Sequence, residues 1–212
     1  MDLIELSSKD YNQYFPTTHQ VFNSVMFNEL NSEKVSKVHY FIFKDSKVRL
    51  GICLGEKDGL LKSPFSAPFG GFEYNTEDHK FKSVEEAVEL LKKYAIKNGK
   101  ELKITLPPDF YGSTIINETI NSISRSNFIL SYIDMNYQFY TKDFENYETK
   151  LNKESRKNLH KAFENNFNFI KLNSSLKSDV ERAYKVIKAN REYRGFPLHM
   201  SLQAVMDTIK II

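Results

Sequence analysis

The chain has 212 residues, enough for one large domain or two small ones with a sizeable core. Charged residues make up 27% and hydrophobic ones 41%, ordinary globular usage that argues against intrinsic disorder and against a membrane-embedded chain. A net charge of +3 is too mild to make a nucleic-acid binder by itself, and a single cysteine, Cys53, excludes an internal disulfide and a multi-cysteine zinc site.

Met1-Asp-Leu-Ile-Glu-Leu6 is acidic and lacks the basic and apolar regions of a signal peptide, and no apolar run reaches the roughly 20 residues that span a bilayer. A cytoplasmic protein without a membrane span is therefore expected. Residues 5–30 read as short helical pieces, with Asp10 and the Thr17-Thr18-His-Gln20 run as candidate starts. Val38 to Phe43 and Val48 to Leu54 alternate as two strands of a hairpin, with Cys53 placed as a buried, inert thiol. Ser63-Pro-Phe-Ser-Ala-Pro-Phe-Gly-Gly-Phe72 cannot be a regular helix, because its prolines lack donors and its glycines lack helical preference. Gly70 and Gly71 mark it as a place where backbone can approach a ligand closely, or as a bulged hairpin plugged by phenylalanines.

Ser83, followed by Glu85 and Glu86, caps a predicted helix to Asn98 whose apolar stripe is Val84, Ala87, Val88, Leu91 and Ala95. A strand is predicted at 102–106. A helix over 113–125 is expected to turn Ile115, Ile116, Ile120 and Ile123 inward. A long strand is predicted over Ile129–Tyr140. Residues 38–141 are expected to form one sheet with both helices packed on it. From Lys142 the texture becomes polar, which places a boundary at 142–149. Beyond it come a helix to about Asn165, a strand over Phe167–Leu172, a helix over 177–193, and an apolar helix from Leu202 to Ile212.

Met135-Asn-Tyr-Gln-Phe139, the helix pattern Leu151, Arg156, Lys157, Lys161, Ala162, and the run Asn190-Arg-Glu-Tyr-Arg-Gly-Phe-Pro-Leu198 together resemble the FemAB-like branch of the GNAT acyltransferases. The similarity covers nearly the whole chain and is most specific over 135–200. It implies an α/β (α+β) fold: a degenerate GNAT-like mixed sheet flanked by helices in residues 1–142. The opening of a second GNAT-like domain would follow in 143–212, the chain reading as an N-terminal fragment. The implied reaction moves an acyl or aminoacyl group to an amine, from acyl-CoA or another thioester, or from aminoacyl-tRNA. The acceptor is expected to be a small-molecule or cell-wall-precursor amine, with tRNA as a further partner and no metal. The glycine-containing phosphate loop of GNAT enzymes is absent, which places the donor site beyond the chain's end and makes the fragment inactive by itself. The rival expectation is a non-catalytic binding or scaffold module whose basic helix contacts protein or RNA.

That basic helix carries Lys153, Lys157 and Lys161 at i, i+4, i+8, with Arg156 in the next row, and Glu154 is the one acid between Lys150 and Lys161. It reads either as an anion-docking edge, with Arg156, Lys157 and Lys161 as binding residues, or as a solvated face. Tyr193 and Arg194 stand before Gly195-Phe-Pro197, either at an acceptor cleft or as a helix cap. His199 is a candidate general base. The apolar stripes of the last two helices need cover, from the first domain or from a second copy in a homodimer.

Overall fold

The computed structural model describes residues 1–75 and 80–211. The chain divides into two compact units: Met1–Tyr132 with the residues from Asp207 onward, and Ile133–Met206. The division falls N-terminal to the predicted boundary.

The first unit is built on a mixed sheet. β2 (Lys37–Lys44) and β3 (Val48–Lys57) form the expected hairpin, rich in the aromatic and β-branched residues that suit a pleated surface. β1 (Asp2–Leu6), which was not anticipated, adds antiparallel to β2, and the short helical pieces expected over 5–30 begin only after it, at Ser8. Five residues with acids at positions 2 and 5 have weak strand character of their own, and the pairing with β2 decides the outcome. β4 (Leu60–Ser63) pairs with one end of β3 through an Asp58-Gly59 turn with φ of 51° and 81°. The two-residue β5 (Glu73–Tyr74) pairs with the other end, Glu73 opposite Gly51 and Tyr74 opposite Leu50. β6 (Glu101–Ile104) closes the order β1-β2-β3-β4-β6 and runs parallel to β4. A parallel pair requires a crossover, and the intervening chain supplies one in α3 (Phe81–Lys97).

The two faces of the hairpin enter different cores. Phe41, Phe43, Leu50, Ile52 and Leu54 meet Val84, Ala87, Val88 and Leu91 of α3. Ile115 and Ile116 of α4 (Ser113–Arg125) join the same cluster. On the opposite face Tyr40, Ile42 and Cys53 meet Tyr11 of α1 (Ser8–Tyr14) and Phe15 just beyond it. There Gly51 is required, because a Cβ would stand 2.4 Å from the Phe15 ring and 2.6 Å from the Tyr11 hydroxyl. α2 (Val25–Leu30) follows, capped by Ser24.

α4 departs from the prediction in its inward face. Ile120 is 47% exposed, and Thr119 and Ser122 are buried in its stead. Their hydroxyls donate to the Ile115 and Glu118 carbonyls at 2.7 and 2.8 Å, so neither enters the core unsatisfied.

The second unit holds α5 (Tyr147–Lys150), α6 (Lys153–Glu164), α7 (Lys177–Tyr193) and the first residues of α8 (Leu202–Ile209). The strands predicted at 129–140 and 167–172 are not formed: both stretches carry no ladder, and Tyr137 and Phe169 are about nine-tenths exposed. Alternation gives a segment strand character, but a strand exists only through the hydrogen bonds of a neighbour. The sheet therefore ends at β6 and includes nothing from 105–141. The helix predicted to Ile212 closes at Ile209, and Ile212 itself lies outside the described residues. Among the described residues no helix is long and apolar enough to cross a membrane.

Candidate functional site

The loop from Ser63 to Phe72 folds back onto the strand ends rather than onto solvent. The Gly70 N–H donates to the Thr105 carbonyl at 2.9 Å, and the Gly71 N–H donates to Ser63 Oγ at 3.1 Å. A Cβ on Gly70 would stand 2.9 Å from Ser63 Oγ, so the fold leaves no room for a side chain there. Stitched in this way, the loop delivers the next two residues, Glu73 and Tyr74, to the edge of β3.

Glu73 is 1% exposed, and a buried carboxylate is costly unless donors surround it. Three donors do. His19 gives its backbone N–H to Oε1 at 3.0 Å and its ring Nδ1 to the same oxygen, while Asn23 Nδ2 donates to Oε2 at 3.3 Å. His19 lies in the turn after α1, where Thr18 Oγ1 donates to the Gln20 carbonyl at 2.8 Å. Its ring stacks on Tyr74 with centroids 4.0 Å apart and planes 8° from parallel. With Nδ1 held by Glu73, Nε2 is the ring nitrogen that this contact leaves unengaged. About a third of the imidazole surface remains open.

His19 borders a small, open cleft with a cavity volume of about 30 Å³. Phe72, Leu106, Ile115 and Ile116 make its apolar walls, Tyr74 and Tyr111 its aromatic sides, and Gly70 and Gly112 its backbone edges. Burial, and then the Glu73 charge, raise the Tyr74 phenol above its ordinary value, so it stays neutral. Behind the site the Cys53 thiol donates to the Asn23 carbonyl at 3.4 Å. Burial pushes Cys53 up to about 12, with the Glu73 and Glu29 charges adding to the effect against the Tyr11 hydrogen bond, which makes it a poor nucleophile.

The residues anticipated as binding groups divide between the units. Gly70 lines the cleft of the first, with Gly71 beside it in the same loop. In the second unit Arg156 donates from Nε to the Glu148 carbonyl and from Nη2 to the Leu151 carbonyl, both at 3.2 Å. That makes it the C-terminal clasp of α5. Lys157 and Lys161 are exposed and have no ion-pair partner among the described residues. Tyr193 is 91% exposed. Arg194 lies at the end of α7, beside Arg191, Ile187 and Phe196. There the Gly195 N–H donates to Glu192 O and the Phe196 N–H to Arg191 O, with Gly195 at φ 72°. This is the capped helix end that the Arg-Gly-Phe-Pro run allowed. His199 is exposed, with no carboxylate to orient it among the described residues.

His19 and Glu73 were not anticipated. Thr17-Thr18-His-Gln20 reads as a helix start, and the Glu after Gly-Gly-Phe lies just past the loop that was singled out. The one available signal was an acid directly behind an apolar triplet, in a loop already marked for close approach. No family model, curated protein or solved structure matches the chain.

Proposed function

We propose, in place of the expectation of an inactive fragment, that the chain is an N-acyltransferase of the FemAB-like, GNAT-type class whose first unit carries the proton-transfer group, His19 oriented by Glu73. The single observation that carries this reading is the buried Glu73 carboxylate fixing Nδ1 of a partly open imidazole at the edge of an apolar cleft. A positioned base backed by a third group is what an amine acceptor requires, because its ammonium form has no lone pair to attack with. The mixed sheet with α3 and α4 on one face is compatible with the GNAT-type architecture that the sequence resembles.

In this reading Nε2 takes a proton from the acceptor ammonium. The freed nitrogen attacks the acyl carbon of a thioester or aminoacyl ester, forming the C–N bond while the C–S or C–O bond breaks. The second proton on nitrogen passes to the departing sulfur or oxygen, and the imidazolium returns its proton to water. Glu73 holds the ring and balances its transient charge without itself reacting. No nucleophilic side chain is needed.

A second reading, a binding module whose α6 contacts protein or RNA, is favoured by one observation: Lys153, Lys157 and Lys161 are exposed and without ion-pair partners among the described residues.

The test is release of thiol from acyl-CoA, or of uncharged tRNA from aminoacyl-tRNA, against a panel of amines with product mass as the second readout. His19→Asn should lower turnover by about 10²–10⁴-fold, the range of a lost general base, with the circular dichroism melt unchanged. A parent chain that modifies no amine with either donor class, or a His19→Asn variant that turns over like the parent, overturns the proposal.

A further inference from the structure

The end of α7 carries two arginines whose side chains the fold does not use. A helix end leaves carbonyls without partners, and a nearby cation is one way to satisfy them. In α7 the backbone does so instead. The Arg194 N–H donates to the Asn190 carbonyl at 3.1 Å, Gly195 to Glu192 at 3.0 Å and Phe196 to Arg191 at 2.9 Å. The guanidinium groups of Arg191 and Arg194 are exposed and make no hydrogen bond or ion pair among the described residues. Glu192, the acid between them, faces Lys188 Nζ at 3.8 Å.

The two arginines line an open groove of about 400 Å³, completed by Asn190, Val186, Ile187 and Phe196. Each of its three apolar side chains is more than half exposed. Forked cationic donors beside uncovered hydrocarbon suit one kind of occupant. An oxyanion accepts two parallel N–H bonds from a guanidinium, and the Asn190 carboxamide supplies a further donor. A hydrocarbon body attached to that head takes the apolar side chains out of water. The dipole of α7 opposes an anion at this end, but it amounts to about half a charge against two full ones. We infer that the groove binds an amphipathic oxyanion: a carboxylate or phosphate-monoester head on a compact aryl or alkyl body. The site lies wholly in the second unit and is independent of His19.

Phenylacetate and phenyl phosphate are the probes, titrated into the whole chain and followed through the methyl resonances of Val186 and Ile187. The better of them should bind at least about ten times more tightly than its bare head, acetate or inorganic phosphate. It should exceed benzyl alcohol, a body without charge, by a similar factor. Whichever probe binds more tightly identifies the head. Arg191→Gln combined with Arg194→Gln should lose that affinity about tenfold or more. The melting temperature should not move, because neither side chain bonds to the fold. Arg191→Lys with Arg194→Lys keeps the charge without the fork and should recover only part of the binding. His19→Asn should bind like the parent. Equal binding of the bare heads would reduce the groove to a patch of charge, and equal binding of benzyl alcohol to an apolar patch. Methyl shifts that follow protein concentration without ligand would assign the face to a second copy. Any of these three, or a double glutamine variant that binds as tightly as the parent, overturns the inference.

Discussion

Glu73 shows what a single side chain can organise. Fifty-four residues separate it from His19, and no local periodicity links the two. What brings them together is a loop that cannot be helical, closed by the Gly70–Thr105 and Gly71–Ser63 bonds, which were invisible in the sequence. Asn23 is the remaining donor to the carboxylate. We expect Asn23→Ala to destabilise the fold by about 1–3 kcal/mol in urea unfolding, the penalty of removing one partner from a buried polar group. The same substitution should reduce turnover through a less firmly held His19. The thiol behind it supplies a second check. With Cys53 pushed up to about 12, iodoacetamide at pH 8 should not label the folded chain and should label it fully in denaturant. Rapid native labelling would contradict the burial. This inertness was legible beforehand, because a lone Cys in an alternating apolar strand is usually an interior residue.

At the scale of elements, the parts that the sequence predicted well are those whose pattern is local. The hairpin β2–β3 and the helices α3 and α4 carry their own period, and each forms close to the expected residues. β1 and β5 were missed because their existence depends on a neighbour, as does the absence of strands at 129–140 and 167–172. One cross-strand ladder joins three of these elements. His39 of β2 places Nδ1 2.9 Å from Glu5 of β1 and Nε2 2.9 Å from Glu56 of β3, with Lys37 and Lys100 completing the pairs. Partial burial pulls Glu5 upward, but the Lys37 hydrogen bond and then that of His39 outweigh it. In Glu56 the Lys100 and then the His39 hydrogen bonds lower the carboxyl. Both lie below their ordinary 4.5 in the folded state. The sign follows directly. Their contribution is fully present above pH 4.5 and is lost as pH falls through the depressed folded values. A Glu56→Gln variant should melt lower than the parent at neutral pH, and the gap should close in acid. A gap that stays constant with pH would show that the ladder contributes no ionic stability. At the core face, Gly51→Ala should destabilise by about 1–3 kcal/mol, since its Cβ would overlap Phe15 and Tyr11.

For the whole molecule, the division into two units separates the two functional readings experimentally. The His19–Glu73 pair, on which the proposed acid–base chemistry rests, belongs to the first unit, and the exposed lysines of α6 belong to the second. The sequence made the cations conspicuous by their density, but density does not distinguish a binding edge from a solvated face. The structure divides the set further: Arg156 has a structural task at α5, which leaves Lys157 and Lys161, with Lys153 on the same edge, able to meet an external anion. Replacing Lys157 and Lys161 by Gln should barely move the melting temperature, because exposed charges contribute little. If α6 docks on RNA, tRNA affinity measured across a salt series should fall. Its dependence on salt should also flatten by roughly 0.7–0.9 per phosphate contact removed. Arg156→Gln should act the other way round, lowering the melting temperature with a smaller change in salt slope. Any turnover that depends on His19 should be untouched by both changes, since neither alters the first unit. An unchanged salt slope in the double lysine variant would reduce α6 to a solvated face and leave the His19–Glu73 cleft as the sole basis for assigning an activity.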